Sequence, residues 1–141
     1  MLIEKNGSKS KVKIIIDTNA FLVPIQLHIN IFEELEKTLN RKHELILLSP
    51  IYEELKNLSI KSSPKMRRDT LHALIEAKKC KLIKLEKAAG DSTDDTIIKV
   101  AKKGKFAVFT NDKNLRKRLR DINVPVIYVR QKVKLEIDGR I

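Results

Sequence analysis

The chain alternates between short apolar runs and longer amphipathic segments, and this alternation restricts its fold more than any other feature. The apolar runs lie at 13–17 (KIIID), 44–48 (ELILL), 81–85 (KLIKL), 106–110 (FAVFT) and 126–129 (VIYV). Most are continuous rather than alternating, the pattern of parallel strands covered on both faces. Helical segments separate them. In INIFEELEKTL, Ile29, Phe32, Leu35 and Leu39 recur at helical spacing. SPIYEELKNL opens with Ser49 as expected N-cap and Pro50 at the first helical position, and SPKMRRDTLHALIEAKK repeats that opening at Ser63-Pro64. The apolar stripe of the latter is expected at Met66, Leu71, Leu74 and Ile75. STDDTIIKVAKKG is expected to be capped by Gly104, and NDKNLRKRLRDI to end before Pro125. Strands alternating with helices imply an α/β chain, a three-layer α/β/α sandwich around a central parallel sheet of five strands joined by right-handed crossovers. The domain is expected at 11–130, with a flexible tail at 1–10 and a C-terminal extension at 131–141.

In open sheets of this kind ligands bind outside the carboxyl ends of the strands, so acids placed there are informative. Asp17 ends the first run and Asp112 follows the fourth. Glu54 and Asp94 come early in the helices that follow the second and third. Taken singly, Asp94 and Asp112 fit helix capping as well as chemistry, and Glu54 fits a solvated helix face. Together the four imply a carboxylate cluster at one rim, whose repulsion calls for cations or retained protons. A cluster of oxygen ligands without His or Cys suits Mg²⁺ or Mn²⁺, whereas His28, His43 and His72 are too scattered for zinc. The matching chemistry is metal-assisted phosphodiester hydrolysis.

Thirty Lys and Arg against 18 acids give a net charge of +12 and a pI near 9.9, which points to a polyanionic partner, most simply nucleic acid. No apolar run approaches a membrane span, and the single Cys80 excludes an intramolecular disulfide, so a cytoplasmic protein is expected.

With these residues in view the chain resembles the PIN-domain family of metal-dependent ribonucleases over about Lys11 to Arg130. IIIDTNAF is similar to the family's first motif, IYEELKNL to its second, STDDTIIKVA to its third and FTNDKNL to its fourth. The resemblance implies that Asp17, Glu54, Asp94 and Asp112 are the catalytic acids and hold Mg²⁺ or Mn²⁺, with Asp95 a further metal ligand and Asn19, Thr110 and Asn111 in support. It also implies an RNA substrate. Lys113, Arg116, Lys117, Arg118 and Arg120 follow Asp112 and are expected to contact RNA phosphates, and Lys99, Lys102, Lys103 and Lys105 are weaker candidates for the same task. Within the family a VapC-type toxin paired with an antitoxin is the first reading. A PIN nuclease acting on a ribosomal precursor and a catalytically silent RNA-binding module are alternatives, and a homodimer is a further candidate assembly. A haloacid-dehalogenase phosphatase would need a second Asp where this chain has Asn19.

Overall fold

The computed structural model describes residues 11–86 and 88–141, so the tail expected at 1–10 lies outside the described residues. In chain order the elements are β1 (Val12–Ile16), α1 (Thr18–Gln26), α2 (Ile31–Leu39), β2 (His43–Leu48), α3 (Ser49–Lys61), α4 (Pro64–Ala77), β3 (Lys81–Ile83), α5 (Thr93–Ala101), β4 (Phe106–Phe109), α6 (Lys113–Asp121), β5 (Val126–Arg130) and β6 (Lys134–Asp138).

One sheet contains all the strands, in the order β3-β2-β1-β4-β5-β6. The continuous apolar runs become its centre, as burial on both faces demands. Ile14 sits between Leu45 and Ala107, Ile15 sits between Ile46 and Val108, and Ile14, Ile15 and Ile16 are fully buried. From β1 the chain winds outward through β2 to β3, then returns across to β4 and winds the other way. The order therefore reverses between β1 and β4, which makes the crevice beyond their carboxyl ends the expected ligand position.

The sheet has six strands rather than five, and it is not wholly parallel. β6 runs antiparallel to β5, with Ile127 opposite Ile137 and Val129 opposite Leu135. The segment expected as an extension thus closes one edge of the sheet. Two features hid it. KLEID carries apolar residues only at alternate positions, as an edge strand does, and the turn before it uses Gln131 and Lys132 at φ 54° and 62° in place of glycine or asparagine.

The helices differ from expectation in five places. α1, assigned to no element by pattern because Pro24 interrupts it, follows β1 directly and buries Ala20, Phe21, Leu22 and Pro24. α2 begins after Asn30, whose side chain accepts from the N–H groups of Phe32 and Glu33, so Ile29 lies outside it and Ile31, Leu35 and Leu39 form the buried stripe. Ser49 does not cap α3. Its hydroxyl accepts from the Leu85 N–H at 2.8 Å and donates to the Leu85 carbonyl, tying the start of α3 to the chain beyond β3. On α4, Ser63 caps as expected, but the buried face is Thr70, Ala73 and Ala77, and Leu71 and Ile75 are 54% and 60% exposed. α5 ends at Ala101, ahead of Gly104.

Candidate active site at the carboxyl edge of the sheet

Asp17 is the first residue past β1, and its main chain is still in the ladder, donating to the Phe109 carbonyl of β4 at 3.0 Å. Its side chain caps α1: Oδ1 accepts from the Thr18 N–H at 2.8 Å. Oδ2 accepts from the Asn19 amide at 2.9 Å and from the Thr110 hydroxyl at 2.8 Å. A carboxylate only 5% exposed is thus fixed by three donors. Burial pushes its pKa above the ordinary 3.8, and the charges of Asp94 and Glu54 push the same way, against the lowering effect of the Thr110 and Thr18 hydrogen bonds.

The polar residues around Asp17 form a continuous network to the fourth strand. The Thr110 hydroxyl accepts from the Asp112 N–H at 3.1 Å, and Asn19 Oδ1 accepts from the Asn111 N–H at 2.8 Å. Asn111 Oδ1 in turn accepts from the Val129 N–H on β5 at 2.9 Å. Asp112 caps α6, with Oδ1 accepting from the N–H groups of Asn114 and Leu115. The cap fixes the carboxylate without using its second oxygen.

Glu54 reaches this rim from the second turn of α3. Its Oε1 accepts from the Thr18 hydroxyl at 2.5 Å and its Oε2 from the Thr93 hydroxyl at 2.8 Å. Two helix starts, α1 and α5, therefore hold one carboxylate from either side. Pattern reading did not single out Thr18 or Thr93; the signal for both was their position next to a rim acid, Thr18 after Asp17 and Thr93 before Asp94.

Asp94 stands in the first turn of α5, half-buried and with no side-chain hydrogen bond among the described residues. Burial raises its pKa, and Asp112, Glu54 and Asp95 raise it further, while Arg118 opposes them. Asp94 thus feels Asp112, Glu54 and Asp95 at once, and Asp17 feels Asp94 and Glu54. The four acids at 17, 54, 94 and 112 share one electrostatic environment.

Asp95 is drawn elsewhere. It forms a capping box with Ser92, each accepting the other's N–H at 3.1 Å, and its remaining oxygen accepts from Arg118 at 2.9 Å. Those contacts hold its carboxyl below the usual range. Both oxygens of Asp95 are thus engaged at the start of α5, one by the cap and one by Arg118.

The cations of the basic helix α6 divide into paired and unpaired groups. Arg116 pairs with Asp138 at 2.9 Å and lies over the Tyr128 ring, 3.9 Å from its centroid, and Arg120 pairs with the other oxygen of Asp138 at 3.2 Å. With Arg118 on Asp95, three of the five cations expected to grip RNA are paired within the chain. Lys113 and Lys117 remain exposed and without partners among the described residues.

The donor set has the chemistry of a site for a hard divalent ion. All four acids offer oxygen ligands, and no His or Cys enters the cluster, which suits Mg²⁺ or Mn²⁺. Among the described residues no three such side chains close on one point as the ligands of a fully protein-enclosed ion would. Magnesium does not require that, because it keeps several waters and is bound through one or two carboxylates. The free oxygen of Asp112 and the unpartnered Asp94 fit that mode.

Residues 14–132 match the PIN like domain family. The chain belongs to that family. This PIN domain is 38% identical over 130 residues to Ribonuclease VapC4 of Methanocaldococcus jannaschii, an alignment covering 92% of this chain and 98% of that protein. Among solved structures it superposes on the PIN domain endonuclease Utp24 with a TM-score of 0.74, at 30% identity and 92% coverage of both chains. A domain of a functionally unknown protein from M. jannaschii superposes with a TM-score of 0.59 at 16% identity, over 92% of this chain and 99% of that one, and shares the fold.

Proposed function

We propose that this PIN domain is a metal-dependent endoribonuclease of the VapC type, acting in the cytoplasm. The observation that carries the reading is the gathering of acids at the point where the strand order reverses: Glu54 is tied to Thr18 beside Asp17 and to Thr93 beside Asp94, and Asp94 feels the charge of Asp112. The 38% identity to a ribonuclease named VapC4 over nearly the whole of both chains supports it, and exceeds the 30% to the endonuclease Utp24.

Asp17, Asp94 and Asp112 would hold Mg²⁺ or Mn²⁺, which when bound neutralises the carboxylates and lowers the pKa of a coordinated water. The chain's own contribution is preorganisation. Thr110, Asn19 and the Thr18 N–H fix Asp17 before any ligand arrives, so no reorganisation is needed on binding. Glu54, held through both oxygens by Thr18 and Thr93, orients the attacking water and accepts its proton. Lys113 and Lys117 attract the RNA backbone beside the acids.

An antitoxin or a second copy of this chain is the protein partner of the proposal. Leu71 and Ile75 on α4 and Ile60 on α3 are 54%, 60% and 68% exposed, an apolar face that a protein partner would cover. Incubating the protein with single-stranded RNA and Mg²⁺ should produce internal cleavage that a chelator stops and Asp17→Asn removes. RNA left intact with either Mg²⁺ or Mn²⁺ would overturn the reading.

A further inference from the structure

The cations at the end of α5, expected to guide RNA over the acids, stand at the opposite edge of the sheet. There they border a cleft of about 480 Å³ lined by the residues that begin β1 and β4 and precede β5. Lys11, Lys102, Lys105 and Arg140 surround it, and Phe106 and Val124 contribute to an apolar floor. All four cations are exposed, and none has an acidic partner among the described residues. On α6, by contrast, Arg116, Arg118 and Arg120 are taken up by Asp138 and Asp95.

We infer that this amino-edge cleft is a second RNA-binding surface, separate from the acidic rim, which takes the backbone phosphates of a single strand on Lys11, Lys102, Lys105 and Arg140 and a base on its apolar floor. The inference rests on the ribonuclease reading for the identity of the polyanion. Its chemistry is that of single-strand recognition without sequence preference: unpaired cations around a groove, with an apolar surface for a base face. Five residues of β1 at about 3.3 Å each separate the two edges by roughly 17 Å. A dinucleotide at the acids cannot reach the cleft, whereas a long strand running around the domain engages both, and the second contact then acts at a raised effective concentration.

The test pairs Lys102→Gln/Lys105→Gln with wild type, using a long unstructured RNA and a dinucleotide, in binding and cleavage. Unchanged melting confirms the fold, and a charge-reversed Lys102→Glu/Lys105→Glu pair enlarges the effect. For the long RNA, the Gln pair should weaken binding and reduce the slope of log K against log salt by about 0.7 for each lost contact. KM should rise while kcat holds, and the dinucleotide should be handled as by wild type. An unchanged slope and KM for long RNA, including the case in which only an acidic protein loses affinity, would overturn the second surface while leaving the nuclease reading intact. A wild type that binds long RNA through the cleft but cleaves nothing would keep the surface and refute the nuclease.

Discussion

The two edges of one sheet treat charge in opposite ways. At the carboxyl edge the acids are drawn inward and tied down: Asp17 is buried under three donors and Glu54 is held through both oxygens. At the amino edge, Lys11, Lys102, Lys105 and Arg140 stand exposed and unpartnered around an open cleft. A group that must present its charge at one point needs a fixed geometry and tolerates the cost of burial, as at functional sites generally. A group that meets a flexible polyanion gains from staying hydrated and mobile until contact. The carboxyl edge is therefore expected to govern rate and the amino edge affinity.

The largest effect should come from breaking the fixed edge. Asp17→Asn keeps the shape but removes the most constrained carboxylate, and cleavage should fall by more than about 10²-fold, since even the outer partners of a metal ligand cost 10 to 100-fold. Single-turnover cleavage at saturating RNA and Mg²⁺ measures this, and wild-type rates in that variant would remove Asp17 from the mechanism. Next in size is the hydroxyl clamp. Thr18→Val or Thr93→Val leaves one Glu54 oxygen without its donor and should lower kcat by about tenfold with KM little changed, because the loss is one of orientation. Thr→Ser at either position should restore most of the rate.

A third experiment reads the strain of the acidic rim without any chemistry. The pKa of Asp17 is raised in the folded protein, so in the window between 3.8 and that raised value the native state binds more protons than the unfolded state. Stability from this group is therefore present at low pH and is lost as pH rises through the window. In metal-free buffer Asp17→Asn should melt above wild type near neutrality, and the gap should shrink as pH falls toward 4. A gap independent of pH would mean that Asp17 is not strained by burial and its acidic neighbours. The smallest effect belongs to Asp138→Ala, which frees Arg116 and Arg120 and loosens the edge strand β6. It should cost about 1 kcal/mol or less by denaturant unfolding, as for partly exposed ion pairs. RNA affinity should rise slightly, because two cations are released; unchanged affinity would show that α6 takes no part in binding.

The sequence by itself determined the centre of the fold and the rim on which the acids lie. Three consecutive isoleucines between turn-forming and helical segments can only be a strand buried on both faces, and Asp17 directly after them must sit at its carboxyl end. Ser63-Pro64 opened its helix as read, because caps depend on neighbours within a few residues. Contacts distant along the chain were decided only by the tertiary structure. Asp94 and Asp95 are adjacent in sequence and both suit a first helical turn, but the reach of Arg118 from α6 and the N–H of Ser92 draw one to the cap and leave the other free. The ion pairs of Arg116 and Arg120 are invisible along α6 and arise only because β6 folds back and brings Asp138 beside them. The same holds for the lysines after α5, whose direction along the sheet follows from the crossover and not from their own segment. Local pattern fixes what a residue is able to do, but packing brings partners from remote segments, and those partners decide how each charge is presented to a ligand.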